Sequence, residues 1–353
     1  MGKKLIIISV IIAAFSAFLG ERVMNLRKKF HADRELTQNH LPNCKYIKGL
    51  EIGSEDITIL PDGQALISTG LKVQGMLSDN PGRIYVLDME KDRMKPVELR
   101  MGRGFDLESF NPHGISTYTD ADGAIYLFVV NHPQHQSQVE IFRFLAEENS
   151  LVHLKTIKHE LLHSVNDIVA VGVESFYATN DNYFTGIPAM LAMLLALPWC
   201  TVTYYSPEGV KVVADGFYMA NGINISPDKK HIYVGDLTDN KVHVMERQDS
   251  NDLIPVKFMD VGTPVDNIEV DPETGDLWVG CHPNVWKFFF NNIEDPAGSE
   301  VIKIADILSE QPTVTQVYMD DGSVLIGSSV AATYGGKLLI GSVFHRALCC
   351  DLN

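Results

Sequence analysis

The stretch that decides the fold is PVDNIEVDPETGDLWVGCH, residues 264–282. Two short runs of apolar and β-branched residues flank the turn sequence DPETGD, which begins at Asp271. Proline presets φ in such a turn and glycine accepts a positive φ, so the segment predicts two paired strands. Similar β-rich runs return along the chain as GRIYVLDM, AIYLFVVNH, SFYATND, HIYVGDL, DLWVGCH and KLLIGSVFH, which begin near residues 82, 124, 175, 231, 276 and 337.

The spacing of these runs leaves room for four short strands per repeat, which is the unit of a propeller blade. Six repeats predict an all-β, six-bladed β-propeller over residues 41–353, after an N-terminal signal-anchor and helical segment over residues 1–40. A pair of β-sandwiches is the alternative architecture, and the evenness of the repeats argues against it.

One segment breaks the strand pattern. IPAMLAMLLALPW, residues 187–199, consists largely of helix formers and is too short to span a bilayer. It predicts either a buried helix or a lid or interfacial helix over the top of the propeller.

The charge balance bears on the class of partner. The chain of 353 residues has a net charge of −16. Nucleic-acid binding needs a basic face that displaces counterions, so we expect no nucleic-acid partner. An acidic surface suits cation binding, although it also serves solubility alone. The sequence contains neither a GxSxG elbow nor a glycine-rich phosphate loop, which argues against serine-hydrolase and nucleotide-binding functions.

The N-terminus predicts membrane association. An uncharged run from Leu5 to Leu19 follows two lysines and indicates an uncleaved signal-anchor, with a cleaved signal peptide and secretion as the alternative. Basic residues also follow the run, and this charge pattern alone would leave the main body in the cytoplasm. These residues are Arg22, Arg27, Lys28 and Lys29.

The cysteines argue for the opposite side of the membrane. Their spacing fits no zinc pattern. Cys44 opens the predicted propeller, and Cys349 and Cys350 end it. A bridge between Cys44 and this pair would close the ring and needs an oxidising compartment, whereas five reduced thiols are the alternative. We therefore expect a membrane-associated protein of the endoplasmic reticulum or plasma membrane, with its propeller on the lumenal or extracellular side.

Oxygen-bearing side chains stand side by side where several of the β-runs begin. Neighbours on a strand point to opposite faces, so each pair offers one oxygen ligand on either side. Propeller strands converge on a central channel, and hard oxygen ligands without a Cys or His cluster favour calcium over zinc. A turn or strand cap is the ordinary alternative for any single pair. The predicted ligands are Glu55, Asn166, Asn221, Asp266 and Asn267 for one calcium, and Asp56 and Asp167 for a second, deeper ion.

Three histidines lie near these runs. His113 in FNPHGIST and His132 in VVNHPQH are candidate general bases, since imidazole titrates near neutral pH. A structural role is the alternative for each of them. His282 in VGCHPN also lies at a strand end.

These motifs resemble the serum paraoxonase/arylesterase family of calcium-dependent lactonases. The resemblance covers almost the whole chain, and GERVMNLRKK near the N-terminus is most similar to the cell-associated, membrane-anchored branch. It implies a six-bladed propeller with two calcium ions, one catalytic and one structural. The stretches that carry it are LPNC, GSEDITILP, FNPHGIST, VVNHP, VNDIVAVG, YYSP, ANGINISPD, VDNIEVDPETGDLWVGCHPN and KLLIGSVFHRAL.

The resemblance also implies roles for single residues. The catalytic calcium receives the five ligands named above. The backbone carbonyl of Ile115 joins Asp56 and Asp167 as a ligand of the structural calcium. The other matches are the water-activating pair His113 and His132, the disulfide Cys44–Cys350, the free thiol Cys281 and the rim histidine His282.

Some positions depart from the family pattern. Asn182 stands where the family has a histidine, and the lid segment of residues 185–200 diverges. Asp321-Gly-Ser replaces one N-glycosylation sequon, so the expected glycoprotein character rests on Asn224-Ile-Ser, in a strand predicted to be buried.

The expected activity is hydrolysis of lactones, including acyl-homoserine lactones, and of aryl esters. Calcium polarises the carbonyl, and His113 deprotonates a water with the help of His132. Hydroxide on the calcium is an alternative base, and phosphotriester hydrolysis is an alternative main activity. A second class of function is a non-catalytic, membrane-bound propeller that acts as a chaperone or scaffold for membrane protein complexes. Further expected partners are a lipid surface and a second copy of the chain.

Overall fold

The strands form six sheets, each one blade of a propeller, and the pairing is antiparallel except where the short strand Arg100–Met101 is added in the second blade. This holds for residues 2–73, 81–91, 93–182, 187–290 and 295–352, which are the residues that the computed structural model describes. The prediction of an all-β, six-bladed propeller is therefore confirmed. The first strand of each blade lies next to the first strands of its neighbours, so these strands surround the central channel.

Blades 1 to 3 follow the short N-terminal strand β1 (Lys45–Tyr46). Blade 1 contains β2 (Asp56–Ile59), β3 (Gln64–Thr69), β4 (Arg83–Asp88) and β5 (Val97–Glu98). Blade 2 contains β6 (Arg100–Met101), β7 (Pro112–Thr119), β8 (Ile125–Asn131), β9 (Gln138–Leu145) and β10 (Ser150–Ile157), with β6 added in parallel to β10. Blade 3 contains β11 (Val165–Gly172), β12 (Ser175–Asn180), β13 (Cys200–Ser206) and β14 (Gly209–Phe217).

Blades 4 to 6 repeat the same order of strands. Blade 4 contains β15 (Ala220–Ile225), β16 (His231–Asp236), β17 (Lys241–Arg247) and β18 (Leu253–Asp260). Blade 5 contains β19 (Val265–Val270), β20 (Leu277–Cys281), β21 (Ser299–Ala305) and β22 (Thr313–Asp320). Blade 6 contains β23 (Ser328–Tyr334), β24 (Lys337–Ser342) and β25 (Leu348–Asp351).

The N-terminal strand completes the last blade. Strand β1 pairs antiparallel with β25, so that Tyr46 lies opposite Leu348. Beside this pairing, a disulfide joins Cys44 to Cys350 across a sequence separation of 306 residues. The predicted bridge between the two ends of the propeller is confirmed.

The recurring runs of the sequence correspond to strands, with one shift. In blades 2 to 6 they fall on the second strand of the blade, from β8 to β24. The first run, GRIYVLDM, does not correspond to the other five, because it falls on β4, the third strand of blade 1. The prediction that it occupies the same position in its repeat is wrong. The second strand there, QALIST, contains no aromatic residue and two polar ends, so its apolar signal is weaker than that of β4.

The core lies between the blades. Among the described residues, buried apolar side chains gather in clusters that each join two neighbouring blades. Ile57 of blade 1, for example, packs in one cluster with Val330 of blade 6, and Val242 of blade 4 packs in another with Val279 of blade 5. A ring of such interfaces leaves the channel free for polar side chains.

Helices lie outside this ring of sheets. Helix α1 (Gly2–Lys29) is solvent-exposed over its apolar run, and by length and composition alone it could cross a membrane or serve as a signal sequence. Helix α2 (Ile187–Leu194) buries none of its side chains, so the buried-helix interpretation is wrong. Residues 185 and 186 of the expected lid lie outside the described residues. Helix α3 (Val285–Phe290) lies between β20 and β21 of blade 5 and was not predicted. Short 3₁₀ turns occur at Pro133–His135, Ala146–Glu148 and Leu237–Asp239.

The segment after α1 is fixed to the propeller. Phe30 is buried with Leu237 and Val285. The guanidinium of Arg34 binds both carboxylate oxygens of the buried Glu300 at 2.8 and 2.9 Å. These contacts hold the end of α1 near the loops of blades 4 and 5.

Candidate metal and active site

The predicted metal ligands lie at or near the starts of the first strands, and His132 directly follows β8. In blades 2 to 5, regular pairing between the first and second strands is interrupted at predicted site residues, and in blade 6 it is interrupted at Ser329. In β11, for example, paired residues resume only at Ile168, and the N–H of Asp167 donates to Thr179 Oγ1 at 3.1 Å. Simple strand alternation is therefore interrupted at this point of β11, whereas the pairing in blade 1 is regular from Asp56 onward. Such an irregularity, like a β-bulge, changes the direction in which the affected side chains point.

Two of the buried carboxylates connect neighbouring blades. Asp56 Oδ2 in blade 1 accepts a hydrogen bond from the backbone N–H of Ile115 in blade 2, at 2.7 Å. Asp167 Oδ2 in blade 3 accepts one from Ile223 in blade 4, also at 2.7 Å. The first of these bonds fixes the backbone of Ile115, whose carbonyl is a predicted ligand, beside Asp56. The two aspartates thereby hold the first strands of successive blades at a fixed distance.

Glu55 connects blade 5, blade 2 and blade 1. Asn267 Nδ2 donates to Glu55 Oε1 at 3.0 Å, and His113 Nε2 lies 3.5 Å from the same oxygen. The hydroxyl of Ser329 in blade 6 donates to the Glu55 backbone carbonyl at 2.6 Å. Glu55 is 1 % exposed, yet its Oε2 has no hydrogen-bond partner in the part of the chain that the structure describes.

Three amide oxygens are likewise buried without a hydrogen-bond partner among the described residues. The Oδ1 atoms of Asn166, Asn221 and Asn267 are buried and accept no hydrogen bond from any described residue. Buried polar atoms in folded proteins are normally paired, so four unpaired oxygens on strands around one channel require another partner. Carboxylate and amide oxygens are the ligands that calcium prefers. The residues present therefore fit a calcium ion.

A softer metal fits less well. Over the described ranges, no group of three or more His, Cys, Asp and Glu side chains is arranged to hold a metal ion. The predicted ligands of the catalytic calcium include only two carboxylates, Glu55 and Asp266, and amides supply the other oxygens. Zinc and related metals select the thiolate and imidazole ligands that are missing from this set.

The two acids of GSEDITIL serve different spaces. Asp56 and Asp167 line a cavity of about 1160 Å³ whose walls include neither Glu55 nor His113 among the residues described. Burial raises the pKa of Asp56 to about 8, with a further rise from the Glu55 charge. Burial and the Asp56 charge also raise the pKa of Asp167 well above its usual value. Such a carboxylate pair binds either protons or a cation.

The two candidate bases are in contact. His113 Nδ1 lies 3.1 Å from His132 Nε2. Burial acts to lower the pKa of His113, but the carboxylate of Glu55 outweighs it and raises that pKa to about 9. Burial and the neighbouring His113 lower the pKa of His132 to about 3. His132 is therefore neutral, and the lone pair on its Nε2 can accept a hydrogen bond from the Nδ1–H of His113.

His282 lies in the same site, as the sequence indicated. Its Nε2 is 2.7 Å from Asp266 Oδ2, and its Nδ1 is a buried atom with no partner among the residues described. The ring of Phe288, from α3, packs over it with centroids 4.3 Å apart. Cys281, the preceding residue, is a completely buried free thiol.

Asn182 supports an acid that sequence reasoning missed. Asn182 Nδ2 and Ser164 Oγ donate to Asp181 Oδ1 at 2.9 and 2.6 Å, and Asn166 Nδ2 lies 3.4 Å from Asp181 Oδ2. Asp181 is also one of the charges that raise the pKa of His113. The amide at position 182 thus orients a carboxylate next to the site and carries no proton relay.

Two glycines were also missed. A Cβ on Gly222 would lie 2.4 Å from the carbonyl oxygen of Asp266, and one on Gly114 would lie 2.4 Å from Asp167 Oδ1. Each glycine directly follows a predicted site residue, Asn221 or His113. Glycine inside a strand often marks a close backbone approach, and that signal was present in the sequence.

In the remaining N-glycosylation sequon, Asn224-Ile-Ser, the side chain of Asn224 is already held by hydrogen bonds. Asn224 Nδ2 donates to the carbonyl of Ile268 at 2.7 Å, and its Oδ1 accepts the N–H of Ile225 at 2.8 Å. Its amide is thus held between blades 4 and 5, which argues against a glycan at this residue.

Comparison with known proteins agrees with this geometry. The family model described as Arylesterase matches residues 35–352. The chain is 57 % identical to serum paraoxonase/arylesterase 2 of Gallus gallus, with complete coverage of both chains, and 54 % identical to serum paraoxonase/lactonase 3 of Oryctolagus cuniculus, again with complete coverage. Among solved structures, a luciferin-regenerating enzyme has the same fold at 14 % identity, with a TM-score of 0.53 and coverage of 87 % of this chain and 94 % of that one. The chain belongs to the arylesterase family.

Proposed function

We propose that this protein is a calcium-dependent hydrolase of lactones, including acyl-homoserine lactones, and of aryl esters. The observation that carries the proposal is the set of unpaired buried oxygens beside the His113–His132 pair. The names of the arylesterase and lactonase relatives support both substrate classes. The catalytic calcium is assigned to Glu55, Asn166, Asn221, Asp266 and Asn267, and the structural calcium to Asp56, Asp167 and the carbonyl of Ile115.

The chain's own residues supply the proton transfer. When bound, the calcium polarises the substrate carbonyl and stabilises the negative charge that develops on its oxygen. A cation held by Glu55 would offset the negative charge that raises the pKa of His113, so that the ring of His113 is neutral and accepts a proton from water as the water oxygen forms a bond to the acyl carbon. The neutral His132 accepts a hydrogen bond from the Nδ1–H of His113 and so orients that ring and stabilises the charge that it acquires. The acyl–oxygen bond then breaks, and the departing alcohol oxygen takes up the proton.

One assay separates this function from its rivals. Purified protein is given aliphatic lactones, aryl acetates, acyl-homoserine lactones and an aryl phosphotriester, before chelation, after chelation and after calcium return. We expect turnover of lactones and aryl acetates that disappears with chelation and returns with calcium. His113→Gln should abolish most of it, and the exposed His159→Gln should not. Absence of turnover under every condition would favour the scaffold function, and turnover indifferent to chelation would contradict the calcium mechanism.

We also infer that α1 anchors the protein in a membrane with the propeller on the lumenal or extracellular side. The exposed apolar face of α1 supports the anchor, and the Cys44–Cys350 disulfide supports an oxidising compartment. Asp321→Asn introduces the sequon Asn-Gly-Ser in an exposed turn. A mass shift of this variant, removed by an endoglycosidase and missing from the wild type, is expected. An unshifted variant whose propeller is digested by protease added to the cytoplasmic side of intact membranes would reverse the orientation.

A further inference from the structure

A buried carboxylate outside the site has all its acceptor positions in use. Glu140 in β9 is 1 % exposed. Its Oε1 accepts hydrogen bonds from Asn131 Nδ2, at 2.9 Å, and from Gln138 Nε2. Its Oε2 is 2.6 Å from the hydroxyl of Thr156 and 2.8 Å from His153 Nε2. Four donors around one carboxylate fix its position, because a rotation would break several charge-assisted hydrogen bonds at once.

This carboxylate determines how Asn131 is oriented. Because the Nδ2 amino group of Asn131 faces Glu140, its Oδ1 faces the opposite way and accepts the backbone N–H of Asn111 at 2.9 Å. Asn131 directly precedes His132, and Asn111 lies two residues before His113. The bond between the two asparagines therefore joins the chain segments that carry the two catalytic candidates.

Asn111 in turn holds the main chain of His132 on both sides. Its carbonyl accepts the His132 N–H at 3.0 Å, and its Nδ2 donates to the His132 carbonyl at 3.3 Å. Its Oδ1 accepts the N–H of Lys72 at 2.7 Å. Asn111 is 3 % exposed, so these bonds form in a place where water offers little competition.

The turn after His132 does not hold that residue by itself. Gln134 and His135 have φ values of 53° and 62°, in the left-handed region that non-glycine residues avoid. Such a backbone conformation is strained in non-glycine residues and persists only where the surrounding structure enforces it. The hydrogen bonds from Asn111 are part of that enforcement on the His132 side of the turn.

We propose that Glu140 is a positioning residue for the His113–His132 pair and acts on it through Asn131 and Asn111. Its consequence for catalysis rests on the proposed hydrolase function. Its geometric content is independent of that function. Without the carboxylate, Asn131 loses its preferred orientation, and the two segments lose one of the bonds that join them beside the 3.1 Å contact of the rings. Groups that support a reacting residue in this way commonly affect rates by about 10- to 100-fold.

The kinetic test compares two variants of Glu140 with a matched control. Glu140→Leu removes the acceptors, whereas Glu140→Gln keeps one oxygen for Asn131. Glu300→Gln is the control, since Glu300 is 2 % exposed in blade 5 and is bonded to Arg34, Thr263 and Gln316. We expect kcat for the lactone to fall about 10- to 100-fold in Glu140→Leu with little change in KM, and to recover partly in Glu140→Gln. The control should lose thermal stability without losing kcat. Wild-type kcat in Glu140→Leu, or an equal loss in the control, would overturn the proposal.

A second measurement does not depend on turnover. Protein labelled with ¹⁵N at histidine shows ring nitrogen signals that report the hydrogen bond between His113 and His132. These signals should shift in Glu140→Leu, shift less in Glu140→Gln and stay in place in Glu300→Gln. If the wild type hydrolyses nothing, the hydrolase function fails while this spectrum still decides the positioning role. Unchanged ring signals in Glu140→Leu would refute that role even in an active enzyme.

Discussion

His282 Nε2 lies 2.7 Å from Asp266 Oδ2, and both side chains are almost completely buried, at 3 % and 5 % exposure. The contact joins the end of β20 to the start of β19 within blade 5. It leaves the second oxygen of Asp266 for another partner and prevents the carboxylate from rotating. We therefore expect His282 to act on the proposed cation site through Asp266.

Replacement of His282 should weaken cation binding. We expect His282→Asn to lower the affinity for calcium about 10- to 100-fold, because outer partners that orient a ligand typically contribute this much. Titration with terbium, followed by its luminescence and by competition with calcium, measures the effect. The exposed His159→Asn is the control. An unchanged affinity would show that Asp266 holds its orientation without the histidine.

The unpaired amide oxygens give a second prediction. Asn221→Ala should lower cation affinity and reduce the rise in melting temperature on adding calcium, because it deletes a buried oxygen with no partner among the described residues. Asn224→Ala is the matched control in the same strand, since both ends of its amide are already bonded to Ile268 and Ile225. Calorimetric titration with and without a chelator tests both variants. Equal calcium responses in the two variants would remove Asn221 from the ligand set.

Gly222 should tolerate no side chain. A Cβ there would lie 2.4 Å from the carbonyl oxygen of Asp266 and 2.6 Å from Asn267 Cα, and backbone atoms cannot move aside cheaply. We expect Gly222→Ala to lower the free energy of unfolding by at least about 1–3 kcal/mol and to weaken cation binding at the same time. Gly209→Ala, in open space at the start of β14, should change neither. Urea unfolding measures the stability of both variants, and terbium titration measures their cation binding. A Gly222→Ala variant with normal stability and normal binding would contradict the close approach of Gly222 to Asp266.

The disulfide should stabilise the closed ring. We expect Cys44→Ala to lower the free energy of unfolding by about 3–5 kcal/mol, because the bridge restricts a very long loop in the unfolded chain. Cys349→Ala removes a neighbouring buried thiol without opening the ring and should have a smaller effect. Urea unfolding with and without a reductant measures both. A reductant should bring the wild type to the level of Cys44→Ala, and if it leaves the wild type unchanged, the bridge does not carry the stability.

The sequence by itself determined the architecture. Strand and turn preferences act over a few residues, so six repeats of apolar runs and Pro-Gly turns were enough to predict six blades. The oxygen pairs at Glu55, Asn166 and Asp266 were visible for the same reason, since each is adjacent in sequence to a β-run. Spacing of the cysteines placed one end of the disulfide at Cys44 and the other at Cys349 or Cys350, a choice that only the family resemblance narrowed.

The tertiary structure decided what depends on register and on closure of the ring. Alternation along β25 places Cys350 beside Cys44 and sends Cys349 into the interface with blade 1. The bonds from Glu140 to His132 depend on the register of the strands within blade 2. The contacts of Glu55 join blade 1 to Asn267 of blade 5 and Ser329 of blade 6. Short-range preferences cannot specify such contacts, because they form only when the sheets pack against one another and the first blade meets the last.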